Sequence, residues 1–152
     1  MIGSGGMPDE MADSWEAFMN DLDETAEEYR ERGYEVVEIH AGDVVPLADR
    51  VALDVLAPGS EFRALQTLVE DFEPDEFSVF KATEGETTFA IIVAEDTDRE
   101  AAVCTSVFYH WSVAKVLIDN AMDVGFVQLQ IRPLSDDAHV VFTIETPEVV
   151  FK

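Results

Sequence analysis

Acidic residues outnumber basic ones by 33 to 9 along this 152-residue chain, so whatever core it folds around must carry a formal charge of −24 on its surface. High charge with little apolar content keeps a chain unfolded, but here 47% of the residues are hydrophobic, which places the sequence among folded proteins. Charge of this size destabilises a compact state by self-repulsion unless the solvent screens it. The screening length falls from about 8 Å at physiological ionic strength to about 3 Å in molar salt. Asp and Glu run from Asp9 to Glu148 without clustering, and lysine is nearly absent (Lys81, Lys115, Lys152). A dispersed acidic coat of this kind points to a protein adapted to a salt-loaded cytoplasm, not to an acidic face that mimics DNA. The cations are too few and too scattered for phosphate contacts, so no nucleic-acid partner is expected.

The length suits one domain, read as residues 11–152 behind a flexible leader over residues 1–10, with Met7 or Met11 as alternative starts. Cys104 is the single cysteine, which allows no internal disulfide and no cysteine-rich metal site. Neither a signal-peptide pattern nor a membrane-length apolar run is visible, so a cytoplasmic location without membrane association is expected.

Apolar spacing predicts a first helix with Trp15, Phe18, Met19, Leu22, Ala26 and Tyr29 on one stripe and carboxylates opposite. Asp13 is its expected cap, with Glu16 completing a capping box, and Gly33 its stop. Residues 34–40 read as a strand. The segment 44–57 is ambiguous, since Pro46 and Pro58 interrupt it, although residues 51–56 have the composition of a short strand. Ser60 is the expected cap of a second helix carrying Phe62, Leu65, Leu68, Val69 and Phe72. Strands follow over 77–83, 87–94 and 101–109, then a helix over 112–123 stopped by Gly125, then strands over 126–132 and 139–144. Gln128, Gln130 and Arg132 alternate with Val127, Leu129 and Ile131, which predicts one solvated sheet face. The order α-β-α-β-β-β-α-β-β, with hairpins in place of repeated βαβ units, predicts an α+β fold: a mainly antiparallel sheet with helices packed on one face.

The helix Val113–Asp123, Gly125, the run Val127–Leu134 and the closing stretch Phe142–Phe151 carry a resemblance, as does the Trp-led acidic first helix. On these residues the chain resembles an uncharacterised family of small haloarchaeal proteins known as a domain of unknown function, which implies no established activity. The element order also resembles that of the small acidic chaperones of type III secretion. That likeness is topological only, no sequence motif supports it, and fold analogy of this kind does not carry function.

Tyr109, His110 and Trp111, at the junction of a strand and a helix, are the candidate lining of a ligand pocket, with Arg132 as the convergent charge. Cys104 and His110 do not form a nucleophilic pair within one extended strand, since six residues at about 3.3 Å each hold them about 20 Å apart. The histidines His40, His110 and His139 are dispersed; His40 with Asp43 offers two ligands at a turn, and no metal or cofactor is expected. The apolar end Glu148–Phe151 must dock on the body or on a partner, and Phe77, Phe80, Phe89 and Phe108 make a large aromatic set for one sheet. The reading is a non-catalytic protein-interaction or chaperone-like module that binds another protein or itself as a homodimer. The alternative is a small ligand-binding protein or enzyme with a pocket near His110.

Overall fold

A computed structural model describes residues 12–134 and 138–151. The elements in chain order are α1 (Ala12–Glu31), β1 (Glu35–Ile39), β2 (Asp43–Leu47), β3 (Ala52–Leu56), α2 (Gly59–Leu68), β4 (Glu76–Glu84), β5 (Thr87–Asp96), β6 (Ala101–His110), α3 (Trp111–Val124), β7 (Val127–Arg132), β8 (Val140–Ile144) and α4 (Glu148–Phe151). The α+β class holds, and four of the six strand pairings are antiparallel. The single sheet expected from the sequence is instead two: β1-β6-β5-β4 and β2-β3-β7-β8, each with one parallel pair, β1 with β6 and β3 with β7.

The division between the sheets has a local cause. β1 follows β6 up to the pair Ile39–Thr105. There Ser106 Oγ donates to the Ile39 carbonyl and accepts the Ala41 N–H, so the backbone is satisfied as the chain leaves the first sheet. Gly42 N–H then donates to Leu56 O, and the ambiguous segment becomes the β2–β3 hairpin. Pro46 is tolerated because β2 is an edge strand, where a missing N–H leaves no ladder partner unpaired.

Helix α1 forms as its apolar stripe predicts: Phe18, Leu22, Ala26 and Tyr29 are buried, with Trp15 and Met19 packed against the core. It covers one face of the first sheet, where Phe18 lies 5.5 Å from Phe89 and Trp15 5.0 Å from Phe108 between ring centroids. The alternate residues of β5 and β6 are buried too. They belong to one continuous core with Leu53, Val55, Leu129, Ile131, Phe142 and Ile144, the inward set of the second sheet. Gln128, Gln130 and Arg132 face the other way and are half-exposed, as the alternation requires.

Two expected caps differ. α1 already runs at Ala12, so Asp13 lies inside its first turn, where a carboxylate still favours the positive helix end. α2 starts at Gly59, so Pro58 takes the cap position and Ser60 caps nothing. The expected stops hold: Gly33 and Gly125 adopt φ of +91° and +87°, a region L-residues avoid. The C-terminal segment docks on the body as α4, with Val150 and Phe151 buried and Tyr109 Oη donating to Val150 O at 3.3 Å. The expected leader lies outside the described residues.

Asp54, Glu95 and Asp96 are buried, and each is held by several donors. Asp54 accepts from Gln130 Nε2 and Arg132 Nε, both at 2.9 Å. Asp96 accepts the Glu73 N–H at 2.9 Å and pairs with Arg99 at 3.1 Å. Glu95 accepts from Tyr34 Oη at 2.8 Å and Tyr29 Oη at 3.3 Å, tying the end of α1 to β5 beneath the Arg32 guanidinium.

Burial, reinforced by the Glu95 charge, pushes the Tyr29 hydroxyl up to about 12. Tyr34 is raised by its hydrogen bond to Glu95 and Tyr109 by burial. A folded-state value above the unfolded one, about 10, favours the neutral form. This contribution to stability is therefore complete below pH about 10 and disappears as the pH rises through about 12. The phenolate absorbance of the native protein is expected to rise at higher pH than that of the urea-unfolded chain. Superimposable curves would contradict the placement of all three tyrosines.

Candidate functional site

The sequence candidates near His110 separate in space. Tyr109 and Trp111 line a cleft of about 310 Å³ together with Lys81, Glu86 and Phe151. His110 does not line it: its Nδ1 is 2.8 Å from Thr87 Oγ1, across the β5–β6 pairing. Arg132 belongs to the second sheet, where it is engaged with Asp54. Cys104 is fully buried in the same strand as His110, and burial pushes its thiol up to about 12. A thiol that stays protonated at neutral pH is a core residue and not a nucleophile. Phe89 and Phe108 fill the layer under α1, while Phe80 on edge strand β4 is exposed.

Helix α3 buries Ala114, Leu117, Ile118 and Ala121 and leaves apolar side chains outside. Val113, Val116 and Val124 are 64%, 61% and 51% exposed, and Trp111 at the helix start is 47% exposed. At about 100° per residue Val113, Val116, Asn120 and Val124 fall within about 80° of arc, forming one flank without a charge. Asn120 anchors that flank to the body by donating to Ala48 O at 3.0 Å. Between that flank and Trp111 on the opposite side the outer surface of α3 is polar, with Ser112, Lys115, Asp119 and Asp123, and Lys115 is paired to Asp119 at 3.1 Å.

Among the described residues a group of titratable side chains gathers elsewhere, between α1, β1 and α2. Glu38 and His40 stand two residues apart on β1 and its extension, so both side chains point to the sheet face that α1 covers. Asp23 reaches them from α1 and Glu61 from the first turn of α2. His40 Nε2 is 2.8 Å from Asp23 Oδ1 and 3.7 Å from Glu38 Oε1, and Nδ1 is 2.7 Å from Glu61 Oε2. Arg30 holds Glu38 Oε2 at 2.8 Å, whereas the buried Glu38 Oε1 has no N–H or hydroxyl donor and can be satisfied only by a proton shared with the Asp23 carboxyl. Burial and the adjacent Asp23 carboxyl raise Glu38, while hydrogen bonds to Glu38 and His40 lower Asp23. Burial alone would lower His40, but its bonds to Asp23 and Glu61 reverse the direction and raise it. An open cleft of about 280 Å³ adjoins the group, lined by Arg30, Val36, Glu38, His40, Ser60 and Glu61 among others.

The only hint of this group in the sequence is the shared parity of Glu38 and His40. The pairing of His40 with Asp43 does not form, since Asp43 Oδ1 accepts the Val44 N–H at 2.9 Å and the ring is held by other carboxylates. Asp23 and Glu61 come from separate helices, and in a chain with 33 acids neither stands out.

Among the described residues no helix is long and apolar enough to cross a membrane. No curated protein and no solved structure gives a significant match to the chain. A family model matches residues 6–152, nearly the whole length. The expected membership in a domain-of-unknown-function family therefore holds: the chain belongs to the family of unknown function DUF7529.

Proposed function

We propose that this protein is a non-catalytic, salt-adapted module of a salt-loaded cytoplasm, and that it binds another protein chain through the uncharged flank of α3. The observation that carries the reading is the stripe Val113, Val116 and Val124, exposed on a helix whose other side is packed. Large apolar side chains gathered on one exposed face mark interaction surfaces more often than chance positions do.

The distribution of charge supports the same reading. Exposed carboxylates occur on α1, in the loop before β4, at the turns flanking β5, on α3 and beside α4. Four of the six arginines pair with largely buried carboxylates: Arg30 with Glu38, Arg32 with Glu95, Arg99 with Asp96 and Arg132 with Asp54. These four arginines thus neutralise carboxylates at or near the core, while on the coat Lys115 pairs with Asp119 and Arg30 also reaches Glu27. In molar salt a screening length of about 3 Å removes electrostatic steering, so recognition there rests on shape and apolar contact. An uncharged helix flank suits that condition, and the same arginines are unavailable for phosphates.

Sedimentation in about 2 M KCl, where surface charges are screened, tests the reading. The purified chain is expected to run above its monomer mass of 16.9 kDa, or to gain mass on mixing with extract from its source cells. The double substitution Val113→Glu/Val116→Glu is expected to abolish whichever association occurs. A strict monomer in both settings, or association untouched by the substitutions, would overturn it.

A further inference from the structure

Glu61 grips His40 from two sides: its Oε1 accepts the His40 backbone N–H and its Oε2 lies against ring Nδ1, both at 2.7 Å. A carboxylate behind Nδ1 holds the proton on that nitrogen and turns the Nε2 lone pair the other way. That lone pair faces two more carboxyl oxygens, Asp23 Oδ1 at 2.8 Å and Glu38 Oε1 at 3.7 Å. Three electron-rich atoms therefore converge. One of them, Glu38 Oε1, is buried with no donor when both carboxyls are ionised, although its twin oxygen is held by Arg30.

A protonated imidazole answers Asp23 and Glu61, but 3.7 Å is beyond hydrogen-bond reach of Glu38 Oε1. A cation at the centre answers all three atoms. Metal–ligand bonds of about 2.0–2.2 Å in tetrahedral or octahedral geometry set ligand-to-ligand edges of about 3.0–3.5 Å. The edges of 2.8 and 3.7 Å bracket that range, with all three atoms within 4.8 Å of one another. We propose that His40 Nε2, Asp23 and Glu38 form a binding site for a divalent transition cation of the zinc type, with Glu61 as the outer carboxylate that orients the imidazole.

The donor set selects the class of ion. An imidazole nitrogen suits zinc and its transition-metal neighbours, whereas magnesium and calcium take oxygen ligands. Two carboxylates neutralise the ion, three protein ligands leave a position for water, and the cleft beside Ser60 and Glu61 gives solvent access to it. This site is independent of the α3 flank, and neither proposal depends on the other.

Cobalt(II), a spectroscopic stand-in for zinc, is the direct probe, titrated into the full chain in about 2 M KCl to suppress loose binding to the acidic coat. One equivalent is expected to bind saturably with ligand-field absorption showing nitrogen coordination, and zinc is expected to displace it. His40→Gln should abolish that spectrum, and Glu61→Gln should weaken binding about tenfold to a hundredfold while leaving the three inner ligands in place. Asp98→Asn, an exposed acid on the β5–β6 turn, should change nothing. Circular dichroism of each variant separates lost binding from lost folding, and the orienting role of Glu61 stays testable if His40→Gln fails to fold. No saturable binding, or binding that survives His40→Gln in a folded protein, would overturn the proposal and leave the group as a proton-sharing ion cluster.

Discussion

Leu22→Ala is expected to remove about 2–5 kcal/mol of unfolding free energy, a large part of the roughly 5–15 kcal/mol that holds a domain of this size. Leu22 is fully buried at the middle of the α1 stripe, between Phe18 and Ala26. Truncation loses the transfer energy of its methyl groups and leaves a cavity under a helix with little stability of its own. The outer face of α1 carries Asp21, Glu24, Glu28 and Glu31 at three- and four-residue spacing, where like charges repel. The helix is therefore held by docking, and Leu22 lies at the centre of the docked stripe. Urea unfolding at constant KCl is the suitable measurement, because guanidinium would change the ionic strength along with the denaturant. Asp21→Ala on the exposed face should stay within about 0.5 kcal/mol. A Leu22→Ala loss below about 1 kcal/mol would mean that α1 is not packed on the first sheet as described.

Arg132→Ala is expected to cost about 2–4 kcal/mol, because it strips one of two donors from a carboxylate that is only 7% exposed. Asp54 on β3 faces Gln130 and Arg132 on β7 across the parallel pairing, so the loss falls where the second sheet is joined by non-local contacts. The double variant Asp54→Ala/Arg132→Ala should lose less than the sum of the single variants, with a coupling above about 1 kcal/mol. This outcome assigns Arg132 to the fold. Had Arg132 served a pocket near His110, its loss would leave stability nearly unchanged.

The parts of this fold legible in the sequence are those written in local periodicity. The stripes of α1 and α3, the stops at Gly33 and Gly125, and the alternation of β7 appear where the residues place them, whereas α2 ends at Leu68, so that Val69 falls in a 3-10 turn and Phe72 in extended backbone. The β2–β3 hairpin was hidden because Ala52, Leu53, Asp54 and Val55 are all buried, which erases alternation, and because Pro46 resembles a breaker until its strand is known to be an edge. The division into two sheets was hidden for a related reason. It depends on the parallel pairs β1–β6 and β3–β7, which join segments far apart in the chain and leave no short-range signal.

The candidate site follows the same logic. Tyr109 and Trp111 border a cleft as their position at a strand–helix junction suggested, but Arg132 lies on the other sheet. His40 gathers its carboxylates from α1 and α2, and only tertiary packing brings these together. Composition alone cannot mark the acids that matter when nearly every surface element carries several.

The salt-adapted coat is the claim on which the proposed role rests, and thermal unfolding across a KCl series tests it most directly. Chloride and potassium act here mainly by screening, so the midpoint reports the self-repulsion of a surface charged to −24. Between about 0.1 and 3 M KCl the midpoint is expected to climb by about 10 °C or more, equivalent to a few kcal/mol for a domain of this length. A midpoint that stays level or falls across that range would contradict the account.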